Sequence, residues 1–277
     1  MLRQVPHHLK FKTLTDPTRA GDCALRLKDN ALVVFDHLEE FTHMHLPGSQ
    51  IDPDDPRRMI SMEFWMRQYR KVPPVLNSSG DYVSQERTNP IFGLTILPNT
   101  SCLGLEVRTN SENDFAKIST FSNVKRYNST NTTNLGGNFT LRPGLDIGRW
   151  YHVYISLFFD GNSVKHEMYL DGERKVVKTA SNNNYIARGA DPILRFAAMT
   201  ANCIGIIDIC GFRIIRGTLL YKDGASQGYT PLFNQYSPED ESLLYTDYIL
   251  ECSDGRMEEA FHHRMPSTCK EIDIVKI

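Results

Sequence analysis

Gly148-Arg149-Trp150-Tyr151-His152-Val153-Tyr154-Ile155, then Asp160-Gly161, then Met168-Tyr169-Leu170-Asp171-Gly172-Glu173, is the stretch on which the reading of the fold turns. Apolar and aromatic residues run without helical spacing from Tyr151 to Phe159, and again over Glu167–Leu170 and Arg174–Thr179. Each Asp-Gly dipeptide supplies the positive φ of a tight hairpin turn. The stretch therefore predicts three antiparallel strands joined by two turns.

The same grammar extends outward in both directions. Short apolar or alternating runs occur at Ala24–Leu27, Leu32–Phe35, Met59–Arg67, Phe92–Leu97, Cys102–Arg108 and Ala116–Phe121. They continue at Ile193–Met199, Ile206–Ile215 and Ser242–Glu251. Gly, Pro, Asn and Asp punctuate them, and helical periodicity is hard to find. So many strands suit two large antiparallel sheets packed face to face. Asp52-Pro53-Asp54-Asp55-Pro56 reads as a rigid loop, because proline cannot donate to a ladder. Residues Asn123 to Pro143 are polar and carry Gly136-Gly137, which predicts a long surface excursion. Asn182-Asn183-Asn184 marks another loop. The expected organisation is one sandwich over residues 20–250, an N-terminal arm over 1–19 and a C-terminal extension over 251–277.

Composition bounds the function. The chain has 277 residues and a formal net charge of −2, from 31 basic and 33 acidic side chains. That balance gives no reason to expect nucleic-acid binding or a basic membrane-surface patch. No run approaches the ~18 apolar residues of a spanning helix, so no transmembrane segment is expected. The first residues are basic and lack the apolar core of a secretory signal. The expected location is intracellular, with a mitochondrial address as the candidate. Six cysteines form no Cys-x-x-Cys pair and are expected to be reduced thiols.

Three segments together resemble the concanavalin A-like lectin/glucanase superfamily and its laminin-G-like jelly-roll domains. The first is Ile60-Ser61-Met62-Glu63-Phe64-Trp65-Met66-Arg67, where Phe64 and Met66 face one way and Glu63, Trp65 and Arg67 the other. The second is the hairpin stretch quoted above. The third runs from Ile206-Ile207-Asp208-Ile209-Cys210-Gly211-Phe212-Arg213-Ile214 through Gly217-Thr218-Leu219-Leu220-Tyr221 to Tyr229-Thr230-Pro231. The resemblance implies an all-β, two-sheet antiparallel jelly-roll sandwich. It fixes fold better than function, since this superfold hosts lectins, hydrolases, receptors and scaffolds.

A retaining glucanase of that superfamily needs two carboxylates on one strand, in E-x-D-x-E-like spacing. No such spacing appears. Glu239-Asp240-Glu241 are consecutive acids behind Pro238, and Glu63 and Glu167 are lone carboxylates expected on exposed strand faces. No Gly-x-Ser-x-Gly elbow is present. The chain is therefore not expected to be an enzyme. The resemblance also implies calcium as a candidate cofactor, with Asp160, Asp171 and Asp191 as the candidate ligands in turns. Sugar binding would use Tyr82, Tyr127 and Tyr185, in polar stretches beside Asn128 and Asn184, as stacking platforms with hydrogen bonders. Trp65 and Trp150 fall in the core pattern of the resemblance. The expected function is a non-catalytic structural subunit that docks protein partners in a larger assembly. The alternative is a carbohydrate-binding, lectin-like protein, with or without calcium, and a glycoside hydrolase ranks below both.

Overall fold

The computed structural model describes residues 23–36, 59–72, 75–83, 87–97, 100–110, 115–126, 132–159, 163–181, 184–185, 193–197, 204–216, 246–253, 256–259 and 265–276. Among them every regular element is a strand. In chain order these are β1 (Cys23–Phe35), β2 (Met59–Gln68), β3 (Val75–Leu76), β4 (Tyr82–Val83), β5 (Arg87–Leu97) and β6 (Thr100–Asn110). Next come β7 (Phe115–Arg126), β8 (Thr132–Asn134), β9 (Asn138–Leu141), β10 (Trp150–Phe159), β11 (Ser163–Leu170) and β12 (Glu173–Ser181). The last are β13 (Asn184–Tyr185), β14 (Ile193–Ala197), β15 (Ile207–Arg216), β16 (Thr246–Ser253), β17 (Arg256–Glu259) and β18 (Thr268–Lys276).

The hairpin stretch forms β10, β11 and β12. Val153 opposes Leu170, and the chain turns at Asp171 and Gly172, whose φ values of 50° and 82° are the paired positive dihedrals of a two-residue hairpin. From β10 the ladder continues through β2 and β15 to the first half of β1, where Arg26 opposes Asp208. At Asp29 and Asn30 the chain is exposed, and Asn30 has a φ of 60°. Beyond that bend the second half of β1 pairs with β14, and the ladder runs on through β5 and β6 to β7. Strand β18 follows β1 through both halves, with a register shift at the bend. All strand pairings are antiparallel.

One ladder thus becomes two facing sheets, because β1 crosses from one to the other. Near the bend, Phe196 of β14 meets Phe212 of β15 edge-on at 4.9 Å. At the far ends, His166 of β11 lies 2.9 Å from Thr120 Oγ1 of β7. Between the sheets lie Ile60, Met62, Phe64 and Met66 of β2, Val153, Ile155 and Leu157 of β10, and Leu103, Leu105 and Val107 of β6. Each is excluded from water, and burying a side chain of this size stabilises the fold by roughly 1.5–3 kcal/mol. The architecture is an all-β jelly-roll sandwich.

One expected loop is largely strand. Residues 123–126 continue β7, and the chain then folds back as β8 and β9, both paired to β7. Polar composition hid this, since a sheet margin needs backbone partners but few apolar side chains. Gly136 makes the return possible: a Cβ there would sit 2.1 Å from the Thr120 carbonyl oxygen. Asn184 likewise belongs to a short strand, β13, paired to β7. The residues after 251 include the end of β16, β17 and β18, the last lying along β1.

Candidate functional site: a buried polar face and a cleft at its rim

The side chains of β2 that point away from the core meet their neighbours in rows across the sheet. One row runs Tyr169, Tyr154, Glu63, Arg213 across β11, β10, β2 and β15. The next brings His152 opposite Trp65, and Trp65 opposite Cys210. A third runs Trp150, Arg67, Asp208, Arg26. Alternation sends the β2 and β10 residues to this face. On β15 a β-bulge between Cys210 and Arg213, where Gly211 has a φ of 63°, brings Arg213 to it as well.

This face is buried, and its charges are paired. Arg213 Nε donates to Glu63 Oε1 at 2.7 Å, and Nη2 lies 2.6 Å from the same oxygen in the ion pair. His152 Nε2 lies 3.1 Å from Glu63 Oε2, and since a carboxylate only accepts, Nε2 carries the proton. Glu63, His152 and Arg213 are each 0% exposed. The Trp65 ring meets His152 edge-on at 4.9 Å. Glu63 comes from the first motif, His152 from the second and Arg213 from the third, so this triad is where the three segments converge. The exposed-face expectation for Glu63 and Glu167 is corrected here. Both are buried, and Glu167 Oε1 receives Lys165 Nζ at 2.8 Å and Arg174 Nη1 at 3.3 Å. Alternation tells which face a residue takes, but not whether that face meets water.

The third row is held the same way. Asp208, fully buried, accepts from Arg26 Nε at 2.8 Å, Arg26 Nη2 at 3.0 Å and Arg67 Nε at 2.8 Å. Arg67 lies over the Trp150 ring at 4.5 Å, and Arg26 over the Tyr69 ring at 4.1 Å. Trp65 is buried as the core pattern suggests, but on the polar face rather than between the sheets.

At the rim of this face opens a cleft of about 320 Å³, between residues 141–149 and the β11–β12 turn. Leu141, Pro143 and Leu170 give it apolar surface, and Asp146, Arg149, Asp171, Glu173 and Lys175 give it charge. The loop is anchored by Gly148 N–H donating to the Gln68 carbonyl at 2.8 Å. Asp171 is fixed from both sides: Oδ1 accepts the His152 backbone N–H at 2.8 Å, and Oδ2 accepts Arg149 Nη2 at 2.9 Å. Arg149 lies over the Tyr151 ring at 4.6 Å and reaches Asp146 at 3.6 Å. Asp146 N–H donates to the Tyr151 hydroxyl at 2.9 Å, and burial raises the Tyr151 phenol above its ordinary pKa. Lys175 Nζ pairs with Glu173 at 2.6 Å.

Of the residues expected from sequence to bind a ligand or metal, Asp171 lies in the cleft wall, where N–H donors engage both its oxygens. Asp160 and Asp191 lie outside the described residues, as do Tyr127 and Asn128. Asn184 and Tyr185 sit in β13 beside the end of β7. Tyr82 sits in β4, in the separate β3–β4 ribbon, and is not on the β13 ladder. Among the described residues no group of three or more His, Cys, Asp and Glu stands ready to hold a metal ion. Cys23 and Cys269 are free thiols. Sequence reasoning passed over Arg149, Tyr151 and Asp146. A usable signal was there, since Arg149 and Asp171 both belong to the hairpin motif.

No family model matches the sequence, and no curated protein sequence matches it significantly. Solved structures do resemble its fold. A native heptameric SAP-like pentraxin from Limulus polyphemus is similar at a TM-score of 0.40 and 10% identity, over 76% of this chain and 82% of the pentraxin. The Ruminococcus gnavus IT-sialidase CBM40 gives 0.41 and 6%, over 74% and 95%. The alginate lyase from Klebsiella pneumoniae gives 0.37 and 12%, over 58% and 60%. The chain is an all-β jelly-roll sandwich.

Proposed function

We propose that this protein is a carbohydrate-binding module that holds glycans without cleaving them, and that the cleft beside Arg149 and Asp171 is where a sugar sits. The observation that carries the reading is the cleft itself. Sugar rings present hydroxyls that both donate and accept, above apolar C–H faces. The cleft offers acceptors at Asp146, Asp171 and Glu173, donors at Arg149 and Lys175, and apolar surface at Leu141, Pro143 and Leu170. Its volume lies at the small end of ligand pockets, which run from roughly 300 to 1,000 Å³. The charged groups are already tied to one another or to the backbone, so little conformational freedom is lost when they engage hydroxyls.

Binding rather than catalysis also suits the buried carboxylate of Glu63, which is not part of the cleft lining. Glu63 has one oxygen on Arg213 and the other on His152. It is an ion-pair partner with no route to a substrate in this arrangement.

A glycan array probed with the intact chain tests the reading, run once with calcium and once with a chelator. Binding to defined glycans in both arms is expected, because the cleft supplies its own donors and acceptors. Loss of binding with chelator would move the site toward the carboxylates expected from sequence to hold calcium, Asp160, Asp171 and Asp191. An empty array in both arms would reject the reading.

A second reading, docking of protein subunits, has one observation in its favour. β18 lies on the outer side of β1, its Cys269, Lys270 and Glu271 are exposed, and among the described residues no further strand pairs with it. An open sheet edge is a template for another chain. The native mass of the gently extracted protein tests this: a large assembly supports it, and a mass near that of the 31.6 kDa chain rejects it.

A further inference from the structure

We infer that the cleft selects uncharged sugars over acidic ones, an inference that rests on the glycan-binding reading above. Three carboxylates, Asp146, Asp171 and Glu173, face two cations, Arg149 and Lys175, so the described lining carries one excess negative charge. Neither cation is spare. Arg149 is engaged by Asp171 at 2.9 Å and Asp146 at 3.6 Å, and Lys175 by Glu173 at 2.6 Å.

A sugar hydroxyl can join these pairs without breaking them, because a carboxylate keeps spare lone pairs and a guanidinium or ammonium keeps spare N–H groups. A sugar carboxylate joins them at a cost. Whichever N–H groups of Arg149 or Lys175 it takes, it sits beside the protein carboxylate already paired there, and the two negative charges face each other. Like-charge juxtaposition of this kind is a common way for a site to reject a ligand. At Arg149 the neighbouring carboxylate is Asp171, whose other oxygen is held by the His152 backbone, so it cannot swing away from the ligand's charge. The choice is therefore built into the turn that forms the cleft.

The test uses the intact chain on an array of matched glycans, each neutral chain printed beside its sialic-acid-capped and glucuronate-capped forms. The expected result is ~10-fold or greater preference for the neutral member of the pairs that bind. Glu173→Lys turns the excess negative charge into an excess positive one and is expected to narrow or reverse that preference. Glu173 is 73% exposed along its side chain, so the fold tolerates the change, and thermal melting confirms it. Equal or tighter binding of the acidic members by the wild type overturns this inference and leaves the glycan-binding reading standing. A neutral preference that Glu173→Lys leaves unmoved also overturns it, since the selection then lies elsewhere. Binding to no member overturns the glycan-binding reading itself.

Discussion

Strand β2 buries both of its faces, and the two are buried by opposite chemistry. Toward the core it sends Ile60, Met62, Phe64 and Met66, which need only shape and volume from their neighbours. Away from the core it sends Ser61, Glu63 and Trp65, and there Glu63 needs named partners at fixed distances. An apolar face loses stability in proportion to the volume removed. A face built on paired charge loses it when one partner goes, because the other is left buried and uncompensated. The difference suggests separate duties. The inner face holds the sandwich together, while the outer face fixes His152, whose backbone N–H in turn fixes Asp171 in the cleft.

Breaking the outer face should give the largest effect. Arg213→Met strands the Glu63 charge and is expected to cost about 3–5 kcal/mol in urea unfolding. Glu63→Leu added to Arg213→Met is expected to recover most of that loss, since a matched apolar pair leaves no orphan charge. No recovery would mean that the triad is not an independent unit. On the inner face, Met62→Ala is expected to cost about 2–5 kcal/mol, and no second change at a charged residue should rescue it.

His166 sharpens the comparison, because it is a titratable group on the inner side. Its ring is fully excluded from water between the sheets, and that burial lowers its pKa from 6.5 to about 4, with nearby Glu167 opposing the shift. The folded chain therefore holds it neutral where the unfolded chain would protonate it. Stability from this group is fully present above pH 6.5 and falls as pH drops from there toward 4. The loss across that window is expected to be roughly 2–3 kcal/mol, at 1.36 kcal/mol per pKa unit. His166→Gln should flatten this part of the pH profile relative to wild type, whereas parallel profiles would contradict the account. The smallest effect is expected at the cleft rim, where Glu173→Gln should change stability by less than about 0.5 kcal/mol.

Much of the fold was legible in the chain. Asp171-Gly172 announced its turn, and the apolar runs of β1, β2, β10 and β15 announced strands in nearly their observed places. The facing of Glu63, Trp65 and Arg67 was legible too. The burial of that face was not, since alternation carries no information about what packs on top. Strands β8 and β9 were missed because Thr and Asn satisfy a sheet margin through backbone bonds alone. The cleft was missed for a related reason. Arg149 and Asp171 lie on opposite sides of a hairpin, and only the folded register brings the guanidinium to the carboxylate.

The most direct test of the central claim is calorimetric titration of an array-selected neutral glycan into the wild-type chain and into Arg149→Ala. Arg149 is 55% exposed along its side chain, so the substitution should leave the melting temperature nearly unchanged. The account predicts a loss of affinity of ~10-fold or more, roughly the worth of one charge-assisted hydrogen bond in a ligand site. Unchanged affinity in a folded Arg149→Ala variant would place the sugar elsewhere and contradict the assignment of the cleft.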